Sequence, residues 1–296
     1  MVGNDFYYDG HWLSEFGMKV YDPEDTQQFV SRDIDKSDIS ALRPIPNHYS
    51  AHYSDVLTLS FLIIKDDEDE PLTQEETKLD GEEISYIRAW LESPKTPCEF
   101  TSPTEEDVIA TTYFGLFTSI QPYLINHECF GMYLTFTCNA PYGFSDVYSK
   151  TFNMQGNVTV SGYFANYSAE HNEYLKPTIV IKSADTFVSG ETIRIENVSD
   201  NNKYMLLAMP EGLSSITIDC QKKCITDNNG NILSLSDVGL TLPISSDYNY
   251  VSAELYTFYW LRLLPDRNNL AFTCNENSTI RTVTISSRYI IKSGGF

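Results

Sequence analysis

Residues 56–64, Val56-Leu-Thr-Leu-Ser-Phe-Leu-Ile-Ile64, set Leu57, Leu59, Phe61 and Ile63 two positions apart. Strand side chains alternate between faces, so this spacing reads as a β-strand with one face buried. It is also the longest apolar stretch in the chain. Nine residues broken by Thr58 and Ser60 fall far short of a membrane-spanning helix.

The same period recurs along the sequence. It appears at Leu134, Phe136, Cys138; Ile179, Ile181; Ile193, Ile195; Ile216, Ile218; Leu261, Leu263; Leu270, Phe272, Cys274; and Val283, Ile285. Short strands separated by turn residues predict a mainly β chain of antiparallel sandwiches. Asp227-Asn-Asn-Gly-Asn231 supplies side chains and a glycine that tolerate positive φ, the chemistry of a hairpin turn. The pattern changes once, after Asp80. This residue can cap a helix with Glu83 closing a capping box and Pro94 ending it, and Ile84, Ile87, Trp90 and Leu91 supply the apolar side. That helix is expected to lie across a sheet of the first half. Glu105 to Ile109 is too short a segment to assign.

The chain has 296 residues, enough for two domains, and 13% are aromatic, a share suited to a β-rich core. Forty-one acids against twenty Lys plus Arg give a net charge of −21, which repels phosphate and excludes ordinary nucleic-acid binding. Residues 1–150 hold 27 acids and 9 bases, and residues 151–296 hold 14 and 11. This contrast predicts a first domain at 1–152 and a second at 153–296, joined by a flexible Asn153-Met-Gln-Gly-Asn157. Met1 to Tyr8 lacks the basic start and apolar stretch of a secretory signal, so synthesis and retention in the cytosol are expected, or export by another route.

The chemistry-bearing residues point away from catalysis. Cys98, Cys129, Cys138, Cys220, Cys224 and Cys274 form no CxxC pair and read as buried reduced thiols. His11, His48, His52, His127 and His171 fall in no catalytic motif, and acid pairs are expected by chance in so acidic a chain. The run Asp66, Asp67, Glu68, Asp69, Glu70 lacks the ligand spacing of a cation site and reads as a solvated loop. Asp227, Asn229 and Asn231 lack the glycine and glutamate positions of a calcium loop. Sequons at Asn157, Asn166, Asn197 and Asn277 follow from a composition rich in Asn, Ser and Thr. The expectation is a non-enzymatic protein with no cofactor and no metal.

Several stretches resemble the phage distal tail protein family, the ring-forming hub of long, non-contractile tails. In the first half these are Phe6-Tyr-Tyr-Asp-Gly10, Leu13-Ser-Glu-Phe-Gly-Met-Lys-Val20, the strand Val56 to Ile64, the helix Glu82 to Leu91 and Met132-Tyr-Leu-Thr-Phe-Thr-Cys-Asn-Ala-Pro-Tyr142. Lys176-Pro-Thr-Ile-Val-Ile181, Ser215-Ile-Thr-Ile-Asp219, Ile225-Thr-Asp-Asn-Asn-Gly-Asn231 and Leu261-Arg-Leu-Leu-Pro-Asp-Arg-Asn-Asn-Leu270 follow in the family's order. One departure is Arg43-Pro-Ile-Pro-Asn-His-Tyr49, which has no glycine where family members often carry a Gly-rich turn.

The resemblance implies a β-rich first domain with one helix that closes into a homo-hexameric ring, and a second, galectin-like β-sandwich turned outward. The implied setting is the virion tail tip. Implied partners are the tail tube protein, a tail-tip hub or tail-associated lysin-type protein, and receptor-binding or side-fibre proteins. No membrane is involved, and DNA passes through the channel without specific binding. If the first domain lines that channel, Asp66, Asp67, Glu68, Asp69 and Glu70 are candidates to face the lumen; alternatively they are an outer loop that keeps packed subunits soluble. A competing function is a carbohydrate-binding adhesion module. Tyr250, Tyr256, Tyr259 and Trp260 are its candidate sugar-stacking residues, although strand alternation from Tyr256 to Leu263 assigns half of them to the core.

Overall fold

Asp80 ends an extended segment, and its carboxylate accepts the backbone N–H groups of Glu82 and Glu83, each at 2.8 Å. Glu83 returns the contact by accepting the backbone N–H of Asp80 at 2.9 Å. Helix α1 (Gly81–Glu92) therefore starts at the capping box read from the sequence and buries Ile87, Trp90 and Leu91. Pro94 follows its C-cap, Ser93.

The computed structural model describes residues 3–21, 30, 32–36, 49–53, 55–66, 73, 75–103, 111–156, 158–171, 174–238, 258–276 and 280–292. The chain divides into two compact units, Met1–Asp146 with Ile291–Phe296, and Val147–Ile290.

Unit 1 contains β1 (Tyr7–Tyr8), β2 (His11–Trp12), β3 (Met18–Tyr21), β4 (Arg32–Lys36), β5 (Tyr49–Tyr53), β6 (Thr58–Lys65), β7 (Cys98–Thr101), β8 (Thr112–Ile125), β9 (Glu128–Cys138) and the beginning of β10 (Gly143–Met154). Antiparallel pairing gives the order β2-β1-β7-β8-β9-β6-β3, and β4 pairs with β5 as a separate two-stranded sheet. Rings fill the interior. Phe100 stacks on Phe136 with centroids 4.6 Å apart, Tyr8 meets Phe117 edge-on at 4.9 Å, and Phe6 stacks on Trp90 at 5.7 Å. Trp90 donates its Nε1–H to the carbonyl of Tyr8 at 3.0 Å, which satisfies the polar end of a buried indole and ties α1 to the first strand.

The remainder of β10 opens unit 2, followed by β11 (Val160–Asn166), β12 (Thr178–Ser183), β13 (Thr192–Asn197), β14 (Lys203–Ala208), β15 (Ser215–Asp219), β16 (Cys224–Asp227), β17 (Ile232–Leu233), the short helix α2 (Leu235–Val238), β18 (Asp266–Cys274) and β19 (Arg281–Ile291). One sheet runs β17-β16-β15-β12-β19-β10, and the other β11-β18-β13-β14. Period-two alternation sends Ile179, Ile181, Ile216, Ile218, Val283 and Ile285 of the first sheet into the same core as Ile193, Ile195, Leu270, Phe272 and Cys274 of the second. The molecule is mainly β, as its periodicity predicts.

Three local expectations change. Leu261 and Leu263 are fully buried but form no ladder strand; their segment has one isolated bridge, Leu175 to Leu263. Side-chain amides satisfy its backbone instead. Asn197 donates to the carbonyl of Arg262 at 2.8 Å, Asn166 to that of Leu264 at 3.2 Å, and Leu264 N–H donates to Asn268 Oδ1 at 2.8 Å. Asn153 and Met154, expected in a flexible connection, belong to β10, and Met154 is buried. All six cysteines are free, but Cys98, Cys129 and Cys224 are half-buried. Burial pushes the thiols of Cys138 and Cys220 up to about 12, so both stay protonated and inert near neutrality.

Candidate functional site

The β8–β9 hairpin of unit 1 turns at Asn126 and His127, whose φ values of 52° and 71° fit a two-residue turn matching the strand twist. Near the core the hairpin alternates normally. Toward the turn the register shifts at Phe117/Ser119 and Tyr123/Leu124, and apolar side chains become exposed. Leu124 is 55% exposed, Ile125 42% and Tyr133 45%, with Tyr123 edge-on to Tyr133 at 5.5 Å. An exposed apolar patch at the turn end of this hairpin suits contact with another protein surface. The only sequence signal for it is Asn126-His127 set between two apolar runs.

The cations around this hairpin are largely neutralised. Lys78 reaches Glu75 and Glu128, both at 2.9 Å, and these two carboxylates hold its proton more tightly than in an ordinary lysine. Lys65 pairs with Glu83 at 2.6 Å, and Arg88 with Glu92 at 2.8 Å. Asp66 is held by Lys19 at 2.7 Å, and its backbone N–H donates to the carbonyl of Gly17 at 3.1 Å. The first acid of the run is thus an ion-paired residue at the end of β6. Asp67, Glu68, Asp69 and Glu70 lie outside the described residues, as do Glu105 to Ile109.

In unit 2, Tyr250 and Tyr256 also lie outside the described residues. Tyr259 donates its hydroxyl to Asp200 at 2.9 Å, and burial together with that carboxylate raises its pKa well above the ordinary phenol range. Trp260 packs against the core, edge-on to Phe258 at 5.0 Å. Arg262 binds both Asp200 oxygens, at 2.7 and 3.0 Å, completing a polar cluster that sequence reading missed because its members lie 59 and 62 residues from Asp200. Tyr259 and Trp260 are engaged in packing and hydrogen bonding within this unit.

The other motifs are accounted for by structure. Asp227 Oδ1 accepts the backbone N–H groups of Asn229 and Asn231, each at 2.8 Å, while Oδ2 takes the Asn231 amide at 2.9 Å. Gly230 has φ 84°, so the Asp227 loop is a turn whose acid serves its own backbone. The sequon residues Asn166 and Asn197 are buried with their amides engaged. Asn157 and Asn277 lie outside the described residues. Among the described residues no His, Cys, Asp and Glu cluster is arranged to hold a metal, and no helix is long and apolar enough to cross a membrane.

A family model described as phage tail protein N-terminal domain matches residues 1–140. No curated protein matches the sequence. The Dit protein of phage SPP1, described as a paradigm of the hub adsorption apparatus in phages infecting Gram-positive bacteria, superposes with a TM-score of 0.59 at 13% identity, covering 96% of this chain and 98% of that one. Chains of the phage P2 baseplate in its activated conformation, with Ca and with Sr, give TM-scores of 0.49 and 0.48 at 10% and 9% identity. They cover 97% and 95% of this chain and 98% and 97% of their own. Residues 1–140 thus carry the match to a phage tail protein N-terminal domain, and the chain shares the fold of SPP1 Dit along its length.

Proposed function

We propose that this chain is a structural component of the phage tail tip, a hub that closes as a homo-hexameric ring through its first domain. In this reading the ring joins the tail tube protein to the tail-tip hub or tail-associated lysin-type protein. The second domain, galectin-like and turned outward, carries receptor-binding or side-fibre proteins. Domains at 1–152 and 153–296 correspond to these two tasks. The observation that carries the reading is the match of residues 1–140 to a phage tail protein N-terminal domain. The exposed apolar tip of the β8–β9 hairpin supports it by giving the same unit a surface suited to protein contact.

The role is non-enzymatic and needs no cofactor. DNA crosses the ring without specific binding, and the excess of 27 acids over 9 bases in residues 1–150 keeps the wall from holding phosphate. Asp66 to Glu70 are proposed to contribute to that field. Native mass spectrometry of the purified chain tests the assignment. A six-subunit species is expected, because heterologous contacts that close on themselves give rings. A stable monomer, or an isologous dimer, overturns it.

A further inference from the structure

Unit 2 stacks cations on tyrosines in three places. The Arg194 guanidinium lies 3.9 Å from the Tyr204 ring centroid and pairs with Glu196 at 2.7 Å. Arg262 lies 4.0 Å from Tyr174 and is bound by Asp200. In the third place, Lys150 Nζ stands 3.6 Å and the Arg267 guanidinium 4.3 Å from the centroid of one ring, Tyr163. No carboxylate pairs with either cation among the described residues; Arg267 Nε–H donates only to the neutral Asn269 Oδ1, at 3.2 Å.

The fold holds this trio in place. Tyr163 lies on β11, an edge strand of the four-stranded sheet, and opposes Asn269 of β18. Phe152, two residues after Lys150 on β10, approaches β11 where Gly162 has no side chain; a Cβ there would lie 2.3 Å from the Phe152 ring. Close approach at Gly162 brings β10 near enough for the Lys150 amine to reach the ring of the next residue. Tyr163 is 42% exposed, so the cations gather at an accessible place.

Two like charges brought to one ring repel, and a partly exposed aromatic face offsets that only weakly. Such a site is completed by an anion. We infer that Lys150, Arg267 and Tyr163 form a docking site for the acidic first half of a second copy of this chain. Charge complementarity selects that occupant. In a chain of net charge −21, residues 1–150 hold 27 of the 41 acids, so every neighbouring copy presents the opposite sign at high density. The inference rests on the ring reading and adds a contact from unit 2 to it.

The full-length chain with Lys150→Glu and Arg267→Glu tests this by native mass spectrometry and sedimentation at low and high ionic strength. Exposed pairs of this kind contribute modestly, so reversal of both charges is expected to weaken assembly roughly tenfold at low salt. The difference from wild type closes at high salt, where screening acts within a few ångströms. The milder pair Lys150→Gln with Arg267→Gln is expected to weaken assembly less, with unchanged thermal melting. Equal assembly of wild type and both variants at low salt overturns the docking site and leaves the ring standing. Equal assembly together with lost binding of polyphosphate overturns it too, because the site then serves a phosphate polymer. A wild-type chain that stays monomeric removes the ring itself.

Discussion

The interior of unit 1 is built from rings: Phe6, Tyr8, Phe61, Trp90, Phe100, Phe117 and Phe136 contact one another across strands far apart in sequence. Unit 2 is filled mainly by aliphatic side chains in regular alternation, and it also buries polar groups. Arg281 and Glu191 are both 0% exposed, and the guanidinium meets the carboxylate at 2.6 and 2.9 Å. Glu191 also accepts the Val188 N–H at 3.0 Å, so the same carboxylate holds its own turn before β13 and, through Arg281, the start of β19. Aromatic packing needs few directional partners, whereas a buried charge must be fully matched. Unit 1 is thus sensitive to lost volume, and unit 2 to lost polar partners.

The largest test of that contrast is a pair of substitutions. Glu191→Ala strands Arg281 without its counter-charge and is expected to cost about 3–5 kcal/mol. Phe136→Ala empties the centre of the ring cluster at a similar cost of about 3–5 kcal/mol. Denaturant unfolding followed by near-ultraviolet circular dichroism and by unit-specific proteolysis should show each change lowering the transition of its own unit. If either substitution unfolds both units together, their separate cores do not control stability separately.

A smaller effect sharpens the account of unit 1. Asp80→Ala removes the acceptor for two helix N–H groups and is expected to cost about 1 kcal/mol. Asp80→Asn, which keeps an acceptor, recovers most of it. Equal losses in the two variants would show that the charge of Asp80, not its hydrogen-bond acceptor, stabilises the start of α1.

The smallest effect concerns acid and belongs to unit 2. The hydrogen bonds from Arg262 and then Tyr259 hold Asp200 below the usual carboxylate range, against a desolvation that acts the other way. A folded pKa below the unfolded one means that Asp200 contributes fully near neutrality. That contribution fades as pH falls through the unfolded value toward the folded one. Asp200→Asn is therefore expected to be less stable than wild type at neutral pH, with a gap that narrows on acidification. A constant gap across the acid range refutes the linkage.

Alternation was legible wherever a strand has one buried face. The expected positions in β12, β13, β15, β18 and β19 are buried in the structure, and α1 begins at Asp80 because its cap is complete within four residues. The same rule misreads Leu261 and Leu263, whose spacing is that of a strand although their backbone is tied down by Asn166, Asn197 and Asn268. It also leaves Leu124 and Ile125 unassigned, since alternation groups residues on a face without deciding whether anything covers it.

By itself the sequence determined the β character, the position of the long helix, the uneven charge and the absence of a recognisable catalytic motif. These properties depend on residues within a few positions of one another or on simple sums. Tertiary structure alone decided that Arg281 meets Glu191, that Tyr259 turns to Asp200 and that Lys150 and Arg267 share Tyr163. Those partners are separated by 13 residues at the least, between Lys150 and Tyr163, and by 90 between Glu191 and Arg281. No local propensity encodes such pairings; they follow from which strands become neighbours once the two sheets close over a common core.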